Sequence, residues 1–197
     1  MKILAFELST ARGSLAWLNN DVDFVREWPN DRKNSGPFFE NLADVRKRFG
    51  LPEKIIVGLG PGSYAGVRIA ISAAIGLSFP SIEFIGLPSI CAMEADEYCA
   101  IGDARRQSFF FARVRGGELV EGPNLHSEIE LRHKIDKLEA NMPIFASEKL
   151  PQFSRVAIRY PSAIVLARLA QDPNRSFTMP PLEPIYLREA HVTLPKK

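Results

Sequence analysis

Val57-Gly58-Leu59-Gly60-Pro61-Gly62-Ser63-Tyr64-Ala65-Gly66-Val67-Arg68 is the stretch on which the reading of this 197-residue chain turns. An apolar run, Ile55-Ile56-Val57, has buried-strand character and feeds a loop with glycine at 58, 60, 62 and 66. The loop enters a segment rich in small residues, from Ala65 to Phe79, that reads as a helix. Glycines there permit positive φ and the close approach of another backbone or an anion. A helix starting there aims free N–H groups and a positive dipole end into the loop. The stretch is therefore either a phosphate cradle or a tightly packed turn.

Three motif tests bear on that choice. A phosphate-binding GxxxxGK[ST] loop needs a lysine to reach the phosphates, but Val67-Arg68 follows Gly66. The dinucleotide fingerprint needs GxGxxG, and Gly60-Pro61-Gly62-Ser63-Tyr64-Ala65-Gly66 is one residue too long. A GxSxG nucleophile elbow fails because Pro61 and Ala65 stand where glycines belong around Ser63. The missing lysine, the misfit spacing and the small-residue helix favour packing.

Working outward, Lys2–Leu8, Gly13–Leu18 and Val22–Trp28 read as strands, with Asn19-Asn20-Asp21 as turn chemistry. Apolar residues at 38, 39, 42, 45 and 49 give a helix over Phe38–Phe49, stopped by Gly50 and Pro52. Strands at 54–59 and Ile82–Ile85 complete a β-β-β-α-β-α-β half, and Gly86-Leu87-Pro88 marks a break. The second half opens with a short helical piece at Ser89–Glu94, then strands at Tyr98–Asp103, Ser108–Arg115 and Glu118–Glu121. A helix at Ser127–Leu138, a strand at 143–147 and a helix at Pro161–Gln171 follow. The proline-bearing tail from Thr178 is expected to be regular only at Pro184–Arg188. The expectation is an α/β protein on mixed sheets, divided as 1–87 and a smaller 88–197. Strands that meander before the first helix argue against a plain dinucleotide-binding order.

A formal net charge of +2 is too small to argue by itself for a nucleic-acid groove, and Arg46-Lys47-Arg48 reads as a solvated helix face. Cys91 and Cys99 form no CxxC, so reduced thiols in a cytoplasmic protein are expected. Met1–Glu7 carries an acid where a signal peptide needs an apolar run. Val67–Phe79, the longest apolar stretch, falls short of the ~20 residues of a membrane helix. His126, His133 and His191 pair at no metal-ligand spacing, so no metal site is expected. No nucleophile constellation assembles either, and no catalytic residue is assigned.

Three constellations remain. Glu7, Ser9 and Thr10 end the first strand and form a candidate nucleotide hairpin, unless Glu7 only caps locally. Asp103-Ala104-Arg105-Arg106, between two strands, is an acid–base turn or a surface for a charged partner. The small-residue helix is either buried or half of an interface, with the preceding helix beside it. The candidate interface comprises Phe38, Phe39, Leu42, Val45, Ala65, Ile69, Ala70, Ala73, Ala74 and Leu77.

Ile3-Leu4-Ala5-Phe6-Glu7-Leu8-Ser9-Thr10, Gly60–Arg68, Asp103-Ala104-Arg105-Arg106 and Pro184-Ile185-Tyr186-Leu187-Arg188 occur in that order. In this the chain resembles the bacterial TsaB (YeaZ) family over nearly its whole length, least between about 118 and 180. The resemblance implies an actin/Hsp70/sugar-kinase-like (ASKHA) fold with two ribonuclease-H-like subdomains, the second reduced. It implies a non-catalytic subunit that pairs with the catalytic TsaD and the ATPase TsaE. TsaD then transfers a threonylcarbamoyl group to an adenosine beside the tRNA anticodon. ATP and metal belong to those partners, with no cofactor in this subunit and tRNA met through the complex. Family dimers, with self or with TsaD, use the helices that here are 38–49 and 65–79. Asp103, Arg105 and Arg106 are then expected to contact the partner or the tRNA complex. The family has also been labelled glycoprotease-like (M22). The chain departs from the pattern with Glu7 where aspartate is usual, and in being trimmed at 88–97. The alternatives are a nucleotide-binding ATPase or phosphotransferase of the same fold, and last a peptidase.

Overall fold

Every residue of β1 (Ile3–Glu7) is buried, which a strand achieves only when both faces of its sheet are covered. Period-two alternation sends Leu4 and Phe6 to one face and Ile3 and Ala5 to the other. The computed structural model describes residues 1–31, 34–77 and 80–188. β1 lies at the centre of a sheet ordered β3-β2-β1-β4-β5. Here β2 is Arg12–Leu18, β3 Asp23–Pro29, β4 Lys54–Gly58 and β5 Glu83–Leu87. β2 runs antiparallel to its neighbours β1 and β3, and β4 and β5 continue parallel to β1.

The helices α1 (Gly36–Phe49) and α2 (Tyr64–Leu77) cover one face. Phe38 meets Phe6 edge-on at 5.3 Å and Phe49 stacks on Trp17 at 5.3 Å. The other face is covered from far along the chain. Helix α4 (Ala163–Leu169) packs Ala163, Leu166 and Ala167 with Ile3, Ala5, Ala16 and Leu18. Its first N–H, on Ala163, donates to the buried Ser14 hydroxyl at 2.9 Å, so a helix-end donor is satisfied by a strand. Thus part of the 88–197 segment lies on the sheet of the 1–87 segment.

The same topology then repeats. β6 (Glu97–Asp103), β7 (Ser108–Arg115), β8 (Glu118–Ser127), β9 (Ile144–Ala146) and β10 (Val156–Ile158) form a sheet ordered β10-β9-β6-β7-β8. β6–β8 are antiparallel, and β9 and β10 are parallel to β6. Two ribonuclease-H-like sheets in one chain give the expected ASKHA architecture. The second is reduced: β9 and β10 have three residues each, and a turn rather than a helix joins them. Helix α3 (Glu128–Asp136) packs on one face through Leu131 and Ile135. Ile90 and Met93 cover the other, where the Tyr98 hydroxyl donates to the Ile90 carbonyl at 2.6 Å and accepts from the Met93 N–H at 3.2 Å.

Several local expectations shift. β8 runs on to Ser127 rather than stopping at Glu121, because register irregularities near Arg113 let it follow β7 past Gly122-Pro123. β10 has no period-two signature in its three residues and escapes sequence reading. Pro184–Arg188 is irregular, held by a single backbone bond and by side chains rather than by a ladder. The end expected for the second helix, residues 78 and 79, and His191 lie outside the described residues. Among the described residues no helix is long and apolar enough to cross a membrane. Arg46, Lys47 and Arg48 are exposed as expected, with Arg48 resting 4.9 Å from the Phe24 ring. Both cysteines are free and buried; burial pushes the Cys91 thiol up to about 12 and that of Cys99 to about 11.

Candidate functional site

The glycine loop is pressed against the end of β1. A Cβ on Gly62 would collide with the Ser9 carbonyl oxygen, and one on Gly66 with that of Leu8. Gly60 has φ +90°, the left-handed region that favours glycine. The loop's N–H groups are largely engaged within the protein. Leu59 donates to the Leu87 carbonyl at 2.9 Å, Gly60 to the Ser89 hydroxyl at 2.9 Å, and Ser63 to the Ser9 carbonyl at 2.6 Å. The Ser63 hydroxyl accepts from the Gly66 N–H at 3.2 Å, capping α2. This is the geometry of a packed turn.

Glu7 is fully buried. Its Oε1 accepts from the Ser9 N–H at 2.7 Å, and a Cβ on Gly58 would collide with its other oxygen. Desolvation raises its pKa, opposed by the Ser89 and Ser9 hydroxyls and the Ser9 backbone. Glu7 therefore faces Gly58 inside the protein. Its hairpin companions Ser9 and Thr10 do reach a cleft, although Thr10 Oγ1 is engaged with the backbone of Arg12.

That cleft, about 700 Å³, lies between the two sheets. One wall is Ser9–Ala11, Leu59, Pro61–Ala65 and Val67; the other is Asp103–Arg106, Phe110, Ser147 and Glu148; Pro184–Arg188 of the tail completes it. Segments far apart in sequence thus meet, among them the four that carry the family resemblance. The tail is anchored by the Ile185 N–H, which donates to the Leu59 carbonyl at 2.8 Å, and by the buried Leu182. Tyr186 lies 5.4 Å from Tyr64, and its hydroxyl accepts from Arg68 Nε at 3.1 Å. The guanidinium of Arg68 sits 3.8 Å over the Tyr64 ring.

On the opposite wall Arg105, Arg106 and Gln107 have φ of 65°, 52° and 60°. Three successive left-handed residues that are not glycine cost about 1–2 kcal/mol each. Asp103 helps hold them: its Oδ1 accepts from the Arg105 N–H at 2.7 Å, and its Oδ2 pairs with the Arg105 guanidinium at 3.1 Å. The Asp103 N–H donates in turn to Glu148 at 2.9 Å. Glu148, Phe110 and the tail's Tyr186 and Arg188 join the site only through the fold. Only the Tyr-Leu-Arg tail motif signals any of them in sequence.

The candidate interface residues divide by burial. Phe38, Leu42, Val45, Ala70, Ala74 and Leu77 are buried in the core under the first sheet. As docking residues they are corrected, because the chain's own packing uses them. Phe39 and Ala65 are exposed, and Ile69 and Ala73 half-exposed, so these four remain on the surface. Among the described residues no three His, Cys, Asp or Glu side chains come together as a metal site.

No protein-family model matches the chain. The uncharacterized protein ML0378 of Mycobacterium leprae is 30% identical over 152 residues, which are 75% of this chain and 41% of that protein. The uncharacterized protein Rv3421c of Mycobacterium tuberculosis is 28% identical over 151 residues, 75% of this chain and 69% of its own length. The chain thus spans about two fifths of the Mycobacterium leprae relative. Among solved structures, an uncharacterized protein with similarity to peptidase YeaZ from Pseudomonas aeruginosa matches 95% of this chain and 99% of its own, with TM-score 0.73 and 21% identity. YeaZ from Pseudomonas aeruginosa matches 86% of this chain and 90% of its own, with TM-score 0.66 and 20% identity. The chain has a YeaZ-like fold.

Proposed function

We propose that the chain is a TsaB (YeaZ)-family protein: a non-catalytic subunit of a TsaD-type threonylcarbamoyltransferase complex that modifies an anticodon-loop adenosine of tRNA. The observation that carries this reading is the convergence of the four resemblance-bearing segments on one cleft of a YeaZ-like fold. The non-catalytic assignment draws support from Ser63, whose hydroxyl is used to cap α2, and from a cleft lining made without histidine or cysteine among the described residues. A TsaD-type subunit would dock on the exposed side of α1 and α2, where Phe39, Ala65, Ile69 and Ala73 remain available. An interface of ordinary size, ~1,600 Å², suffices for a specific complex. A TsaE-type ATPase, a homodimer of the free chain and a cytoplasmic location belong to the same reading, with ATP and metal in the partner subunits. The test is reconstitution: the chain is co-purified with the TsaD-type subunit, and tRNA modification is assayed with and without it. Stimulation is expected; none would remove the reading.

The second reading is a nucleotide-binding ATPase or phosphotransferase, favoured by the 700 Å³ cleft with Ser9 and Thr10 at its edge. Calorimetry with ATP and magnesium separates the two, since tight binding with turnover would select the enzyme. A peptidase comes last, because the Ser63 hydroxyl is engaged by the Gly66 N–H in capping α2 and the cleft lining holds no histidine among the described residues.

A further inference from the structure

The side chains on the cleft walls, more than the loop backbone, define what the cleft can hold. Leu59, Gly60, Ser63, Gly66 and Val67 donate their N–H groups within the protein, so of the loop and helix start only Gly62, Tyr64 and Ala65 keep donors for a ligand, a shorter set than the cradle of a compact polyphosphate. What stays available is aromatic and guanidinium surface. Tyr64 and Tyr186 are 50% and 47% exposed although they lie against each other. Arg68 is held against Tyr64 and the Tyr186 hydroxyl without a carboxylate partner among the described residues. Arg106 projects from the strained turn, likewise without a carboxylate partner among the described residues. Arg188 lines the same cleft with Nε buried and making no hydrogen bond.

Half-exposed tyrosine rings beside guanidiniums that lack carboxylate partners match a single strand, whose bases stack while its phosphates come one at a time. A free nucleoside triphosphate concentrates its charge and needs more converging donors than the three this loop leaves. A protein partner would use the same tyrosine and arginine surface, with carboxylates set against the uncompensated guanidiniums.

We infer that the Tyr64–Arg68–Tyr186 wall, facing Arg106 across the cleft, binds unstacked bases of single-stranded RNA. The inference rests on the proposed function for the identity of the RNA, a tRNA anticodon loop; the wall's chemistry is independent of it. This chain would then touch the RNA directly, beyond docking its partner.

The test is fluorescence anisotropy of the full chain with a labelled RNA hairpin bearing a single-stranded loop, against a fully paired duplex, with ATP and magnesium as competitor. The hairpin is expected to bind more tightly than the duplex. Tyr186→Ala weakens it about tenfold or more, and Tyr186→Phe, which keeps the ring, retains most of the affinity. Arg106→Ala lowers the slope of log affinity against log salt by about 0.7. Unchanged thermal midpoints of the three variants certify their folds. Equal binding of hairpin and duplex, or no effect of Tyr186→Ala, would overturn the inference. So would equal losses in Tyr186→Ala and Tyr186→Phe, which would make the tyrosine a clasp for Arg68. Displacement by ATP would assign the wall to a free nucleotide. Tyr186-dependent capture of a TsaD-type subunit without RNA affinity would assign it to protein docking. RNA binding without stimulation of tRNA modification leaves this inference standing and removes the proposed function. Stimulation with RNA affinity indifferent to Tyr186 does the reverse.

Discussion

Ser63 donates its backbone N–H to the carbonyl of Ser9 across 2.6 Å, and this bond fixes the glycine loop on the end of β1. The loop therefore meets a neighbouring backbone where an anion would otherwise lie. Its glycines serve contact, and their replacement is a test of steric fit.

Gly62→Ala places a methyl group into the Ser9 carbonyl, which neither backbone can yield without breaking the Ser63 bond. A loss of about 1–3 kcal/mol is expected in urea denaturation. Gly76→Ala, on α2 with open space around its Cβ position, should instead gain up to about 1 kcal/mol from helix propensity. Equal effects would show that contact at Gly62 is not limiting.

Ser14→Ala leaves the Ala163 N–H buried without its acceptor. The expected cost is about 1–3 kcal/mol, with amide exchange in α4 accelerating more than in α1. Uniform acceleration would mean that the bond is not what seats α4.

Glu7 gives a pH dependence of definite sign. Its folded pKa is raised by burial, so it is easier to ionise in the unfolded chain. Below the unfolded value both states are protonated and the residue contributes nothing to the slope. As pH rises above that value the unfolded state releases its proton first, and stability falls until the folded pKa is passed. Glu7→Gln should therefore be more stable than the parent at neutral pH, with the gap closing in acid. Denaturation midpoints across that range check it, and a gap that widens in acid would reverse the assignment.

Ala70→Glu and Ala73→Glu separate folding from docking. Ala70 is wholly buried beneath the first sheet, so a carboxylate there should cost roughly 3–5 kcal/mol and lower the melting point before any partner is added. Ala73 is half-exposed, and its variant should keep the parent melting point while losing co-purification with a TsaD-type subunit. Retained co-purification of Ala73→Glu would move the docking surface elsewhere.

The first sheet was legible because its signals are local. Ile55-Ile56-Val57 reads as a buried strand wherever it sits, and the 38, 39, 42, 45, 49 spacing can only be a helix face. Burial beyond that face was not legible. Ala70 and Ala73 are alike in sequence, and only the position of the sheet separates core from surface. β10 is too short to show a period, and the Pro184–Arg188 segment owes its course to Leu59 and Tyr64, more than a hundred residues away. The cleft was invisible for the same reason: each of its motifs was readable, but their meeting depends on contacts that no window of sequence contains.

The covering of the first sheet by α4 also has a consequence in time. Ser14 and Ala163 are 149 residues apart, so at ordinary elongation rates the strand precedes its helix from the ribosome by on the order of ten seconds. Through that interval Ile3, Ala5, Ala16 and Leu18 lack the cover that α4 gives them. Apolar surface left open during synthesis favours aggregation, and the finished protein buries that face.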